Sequence, residues 1–206
     1  IILRDSNPGS VTLTPGGVGR NIAHDLCLLG LDVSLVSAVG DDSNGEFLLD
    51  RCRSLGMDVS RVRVVPGARS SSYLYITDER GDMQLAVNDM AVCNEISPEY
   101  LERVLPGIQA GALVLDTNLP VESLEFICRS SSIPLYADPV SSVKAMKLRS
   151  VMKHLRAIKP NALEAAALTG QTDPELAARA LIDEGVQRVF ISLGTNGMIA
   201  AEGSRI

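Results

Sequence analysis

The chain has 206 residues, a net charge of −6, and a 46% hydrophobic fraction without a single Trp. That length and apolar content suit one α/β domain with a mainly aliphatic core. The acidic balance and the lack of any basic run argue against a nucleic-acid partner. No apolar run approaches the ~20 residues that span a bilayer. The four cysteines, Cys27, Cys52, Cys93 and Cys128, form no C-x-x-C pair, which suits free thiols in a reducing, cytoplasmic setting. The first residue is Ile, so the natural start is expected further upstream.

An extended, alternating run at 11–13 feeds Thr14-Pro15-Gly16-Gly17-Val18-Gly19-Arg20-Asn21. Three glycines in four positions let the backbone turn sharply and let another molecule approach closely. The helix that follows opens with outward-pointing amides. The spacing fits neither the dinucleotide fingerprint nor a P-loop. Such a turn serves either as a structural corner or as a ligand site, and Asn21 on the first helical turn favours a hydroxyl-bearing ligand.

Residues 22–29 read as a helix closed by Gly30, 33–39 as a buried strand, and 45–55 as a second helix stopped by Gly56. That strand–helix rhythm predicts a parallel sheet covered by helices. Three strand-like runs at 59–65, 71–77 and 83–87 then break it. The last two are joined by Asp78-Glu79-Arg80-Gly81-Asp82, which predicts a hairpin. Together with residues 8–14, these runs within 59–90 are expected to form a small β-sheet lid on a single domain.

The rhythm resumes with helices at 98–105, 121–129, 144–155, 162–168 and 173–184. Strands are expected at 112–115, 135–137, 156–158 and 189–193, and another begins at 198–201. Ligands of open parallel sheets bind beyond the strands' carboxyl ends. Those ends read Asp116-Thr117-Asn118, Asp138-Pro139-Val140-Ser141, Lys159-Pro160-Asn161 with Glu164, and Leu193-Gly194-Thr195-Asn196-Gly197. Four polar corners in succession predict a cleft for a polar, phosphorylated ligand with a metal. Asn161 and Glu164 suit a hydrated Mg²⁺; taken alone, the pair reads first as a helix cap with a first-turn acid. Lys144 and Lys147 could approach phosphates, but read first as a solvated helix face.

Pro15-Gly16-Gly17-Val18-Gly19-Arg20-Asn21 resembles the substrate-side glycine motif of the ribokinase-like (PfkB) carbohydrate kinases. Lys159-Pro160-Asn161-x-x-Glu164 resembles their magnesium–phosphate motif, and Ser192-Leu193-Gly194-Thr195-Asn196-Gly197 their nucleotide-binding turn. The order fits across essentially the whole chain. Asp5-Ser6-Asn7-Pro8-Gly9, Val65-Pro66-Gly67, Ser71-Ser72-Tyr73-Leu74, Val87-Asn88-Asp89-Met90 and Asp138-Pro139-Val140-Ser141 resemble the pseudouridine kinases within that family.

The resemblance implies an open, mostly parallel sheet flanked by helices, with a β-sheet lid that often pairs two subunits. It implies transfer of the ATP γ-phosphate, with Mg²⁺, to the 5′-hydroxyl of a nucleoside or sugar. Gly16, Gly17, Asn21 and Asn118 would meet the sugar, and Ser72, Tyr73, Asn88 and Asp89 the ribose or base. Asn161 and Glu164 would order Mg²⁺ and phosphates, with Glu164 the metal residue; Ser192, Gly194, Thr195 and Gly197 would line the ATP site. The family's catalytic Asp sits in Gly-Ala-Gly-Asp, which does not occur in these 206 residues. The expectation is therefore a chain truncated at both ends and inactive by itself. The alternatives are another PfkB sugar or nucleoside kinase, or a non-catalytic ligand-binding or dimerising relic.

Overall fold

Gly17, at φ 91°, opens helix α1 (Val18–Leu28), and Gly30, at φ 80°, follows its end. The computed structural model describes residues 5–206. Its chain divides into two compact units, one ending at Val92 and the other beginning at Cys93.

In the first unit α1 leads to β1 (Ser37–Gly40), α2 (Ser43–Ser54) and β2 (Val62–Val65). β1 and β2 pair in parallel, Ala38 beside Arg63. Ala23, Cys52 and Met57 form a small core under them, flanked by Cys27, Leu35 and Leu55. β3 (Ser72–Thr77) and β4 (Met83–Asp89) form an antiparallel hairpin. Its turn is built by Asp78, whose carboxylate accepts from the amides of Arg80 and Asp82 and from the Gln84 side chain. Gly81 supplies the left-handed position, φ 86°.

Two expectations for the lid are corrected here. The 59–65 run joins β1 through the α2 crossover rather than the hairpin, because Asp42 binds Ser70 and anchors the intervening segment to the start of α2. Residues 8–14 form no strand, and Val11 is fully exposed. An alternating pattern without a neighbouring strand leaves its backbone groups to water. The hairpin stands as a two-stranded ribbon with Tyr73, Leu74, Tyr75, Ile76, Leu85 and Val87 all exposed.

The second unit runs α3 (Pro98–Val104), β5 (Leu113–Asp116), α4 (Val121–Ser130), β6 (Leu135–Asp138), α5 (Ser142–Ala145), β7 (Leu155–Ile158), α6 (Ala162–Thr169), α7 (Pro174–Asp183), β8 (Arg188–Ser192) and β9 (Met198–Glu202). The sheet order is β5-β6-β7-β8-β9, with the first four parallel and β9 antiparallel to β8. Leu124, Leu155, Ile158, Leu168, Leu181 and Ile191 are fully buried around it.

The predicted helix at 144–155 is the third correction. α5 is a single turn, followed by 3₁₀ turns at Met146–Leu148 and Met152–His154. Leu148, Val151, Met152 and Leu155 are all buried at helical spacing, which explains the expectation. Leu155, however, pairs with Leu135 in the sheet, so the chain must leave the helix before reaching it.

Candidate functional site

The parallel strands of the second unit all point their carboxyl ends the same way, so their terminal corners form one row. Asp116 and Asp138 lie side by side in register. Each carboxylate is committed locally. Asp116 accepts from the backbone amide of Asn118 at 2.9 Å and from its side-chain amide at 3.0 Å. Asp138 accepts from the Val140 amide at 2.9 Å and lies 3.4 Å from the Lys159 ammonium.

Val140 is the one non-glycine residue with positive φ among the described residues, at 66°. It is the centre of a three-residue turn in which the Ser141 amide donates to the Pro139 carbonyl at 2.7 Å. A β-branched residue in this region is strained. The buried Thr117 hydroxyl donates to the same Pro139 carbonyl, tying the β5 corner to the β6 corner.

The two lysines after this turn do not form the solvated face expected of them. Lys144 donates to the Asn118 side-chain oxygen at 2.5 Å. Lys147 donates to the carbonyls of Thr117 and Leu119 at 3.0 and 2.9 Å. Burial, then the neighbouring Lys144 charge, pushes the Lys147 ammonium below its ordinary value. Local sequence carries no signal for this, because the partners of both lysines lie 26 to 30 positions away.

At the β7 corner Asn161 caps α6. Its side-chain oxygen accepts from the Glu164 amide, and Glu164 accepts from the Asn161 amide, both at 2.9 Å. This reciprocal capping box is the structural role the motif also allowed. Glu164 is buried, and its second oxygen accepts no hydrogen bond among the described residues. A carboxylate with a free oxygen at a helix start fits a hydrated Mg²⁺, although no group of three or more His, Cys, Asp or Glu gathers there among the described residues.

Asn161 also bridges Ser192 at the end of β8, whose amide donates to the Pro160 carbonyl at 3.0 Å. The Gly194-Thr195-Asn196 turn that follows is exposed and tight, with Gly194 at φ 61° and Gly197 at φ 91°. Asn161, Glu164, Ser192, Gly194, Thr195 and Gly197 therefore share adjoining strand ends, as the sequence order suggests.

In the first unit, Gly16, Gly17 and Asn21 gather around Arg20. The Arg20 guanidinium donates to the Gly16 carbonyl and the Pro15 carbonyl, each at 3.0 Å, and to the Asn21 side-chain oxygen. Arg20 thus clamps the glycine turn and orients Asn21, a role its position in the motif did not disclose. On the hairpin, Ser72 stands opposite Asp89 and Tyr73 opposite Asn88. The Tyr73 and Tyr75 rings lie 5.7 Å apart.

The sequence profile of the pfkB family carbohydrate kinases matches residues 4–205. The chain is 41% identical over 201 residues to a pseudouridine kinase of Escherichia coli K12, covering 94% of this chain and 64% of that protein. It thus spans somewhat less than two thirds of that relative's length. A ribokinase structure from Thermotoga maritima superposes with a TM-score of 0.88 at 19% identity, covering 98% of this chain and 67% of that one. A ribokinase-like structure from E. coli in complex with ATP and Mg²⁺ superposes with a TM-score of 0.74 at 18% identity, covering 98% and 75%. Over nearly its whole length, then, the chain belongs to the PfkB family of carbohydrate kinases.

Proposed function

We propose that the full-length parent protein phosphorylates the 5′-hydroxyl of pseudouridine from ATP with Mg²⁺. The observation that carries this is the 41% identity to a pseudouridine kinase over 201 residues; all the motif corners lie within residues 4–205, the stretch that the family profile matches. Gly16, Gly17, Asn21 and Asn118 serve the sugar hydroxyls, and Ser72, Tyr73, Asn88 and Asp89 the ribose or base. Asn161, Ser192, Gly194, Thr195 and Gly197 serve the nucleotide, and Glu164 would hold Mg²⁺. When bound there, the metal offsets negative charge on the transferring phosphoryl group.

What the chain's own residues contribute in this reading is positioning. Asp116 and Lys144 orient Asn118, Arg20 orients Asn21, and the capping box fixes Glu164. The exposed apolar ribbon of β3 and β4 acts as the lid and pairs with that of a second copy, giving a homodimer. Free thiols throughout support a reducing, cytoplasmic setting.

The deciding experiment is a coupled assay of the full-length parent with ATP, Mg²⁺ and a panel of acceptors. Pseudouridine should give the highest kcat/KM. A higher value with uridine, inosine, cytidine or ribose would overturn the acceptor assignment while leaving the kinase class intact.

A further inference from the structure

We infer that Lys144 is a positioning residue which fixes the orientation of the Asn118 carboxamide, so that Asn118 meets the acceptor as an N–H donor. This rests on the reading above that Asn118 faces the acceptor sugar. The orientation follows from donor and acceptor chemistry. An ammonium only donates and a carboxylate only accepts. With Lys144 on one side and Asp116 on the other, the amide oxygen must face Lys144 and the amide nitrogen must face Asp116. A flipped amide would press N–H groups against the ammonium and its oxygen against the carboxylate.

Of the two N–H bonds on the Asn118 side chain, one goes to Asp116. The other is the group left to offer, so the acceptor atom it meets must be an oxygen lone pair. The strained Val140 turn sets where Lys144 stands. Ser141, next in the chain, caps α5 by accepting from the Lys144 amide at 3.3 Å. Lys147 fastens the same segment to the loop by two carbonyl bonds that bypass Asn118.

The test is steady-state kinetics of the full-length parent with ATP and pseudouridine. Lys144→Met should raise the KM for pseudouridine by about tenfold, the worth of roughly one hydrogen bond, while leaving the KM for ATP unchanged. Lys144→Arg, which still only donates, should recover most of it. Asn118→Ala should show a comparable rise, and the double variant Lys144→Met/Asn118→Ala should be no worse than Asn118→Ala alone. Asn118→Asp, which has no N–H, should fail on pseudouridine at least as badly as Asn118→Ala; that check holds even where Lys144→Met folds poorly.

Multiplying effects in the double variant, or Asn118→Asp retaining the wild-type KM, would overturn the proposal. So would a Lys144→Met that raises both KM values alike. An Asn118→Ala with an unchanged KM for pseudouridine sinks the underlying site reading instead. An effective Asn118→Ala beside an ineffective Lys144→Met sinks the role of Lys144 alone.

Discussion

The Asp42 carboxylate accepts hydrogen bonds from both the amide and the hydroxyl of Ser70, at 2.9 and 2.6 Å. The same carboxylate caps α2 by accepting from the Gly45 amide at 2.8 Å, and the Ser70 hydroxyl in turn accepts from the Gly40 amide at 3.0 Å. Ser70 is buried, so Ser70→Ala would leave the Gly40 amide unpaired and take one of its three hydrogen bonds from the carboxylate. The expected loss is about 1–3 kcal/mol in urea denaturation.

The pH dependence follows from the same pair. The Ser70 hydroxyl, followed by the Ser70 and Gly45 amides, holds the Asp42 carboxyl below its ordinary value of 3.8. A folded-state value below the unfolded one stabilises the fold above about pH 3.8 and loses that contribution as pH falls through the folded value. The stability difference between wild type and Ser70→Ala should therefore narrow below pH 3.8. Carboxyl NMR titration should show Asp42 moving upward in the variant.

Two glycines should separate structure from ligand approach. A Cβ on Gly45 would lie 2.3 Å from the Gly40 carbonyl oxygen and 2.8 Å from the Ser70 hydroxyl, and the backbone oxygen cannot yield. Gly45→Ala should cost about 1–3 kcal/mol by overpacking, read by denaturation. Gly16 has nothing within 4 Å of such a Cβ. Gly16→Ala should shift stability by less than about 1 kcal/mol. It should still raise the acceptor KM of the full-length parent.

Glu164→Gln separates the capping box from the proposed Mg²⁺ role. Glutamine keeps an oxygen to accept from the Asn161 amide, so stability should change by no more than about 0.5 kcal/mol. Losing the charge should raise the Mg²⁺ concentration for half-maximal turnover by roughly tenfold or more. A large loss of stability with unchanged Mg²⁺ dependence would assign Glu164 to capping alone.

Thiol labelling should sort the cysteines. Burial pushes the Cys128 thiol up to about 11 and raises Cys52 as well. Cys27 and Cys93 are only half-buried. An aromatic disulfide reagent at pH 8 should consume Cys27 and Cys93 first, with Cys52 and Cys128 reacting only as the chain opens.

The regular strand–helix alternation of the second unit was readable because its strands are short apolar runs bounded by strong caps. Ser97, Asn161 and Asp173 each accept from first-turn amides as their positions suggest. Polar corners at strand ends were readable for the same reason. What local pattern could not carry was pairing. The valines of β2 suit any sheet, and it is distant ties such as Asp42–Ser70 and Asp41–Gly67 that direct them to β1. Lys144 was unreadable because its partner Asn118 is twenty-six positions away.

Val140 gives the fold an engineering handle. Its left-handed backbone, φ 66°, costs a β-branched residue on the order of 1–3 kcal/mol, and a side chain without a Cβ escapes that cost. Val140→Gly should therefore raise the melting temperature even after the added freedom of the unfolded chain is counted. Selection for thermal endurance alone would replace this valine.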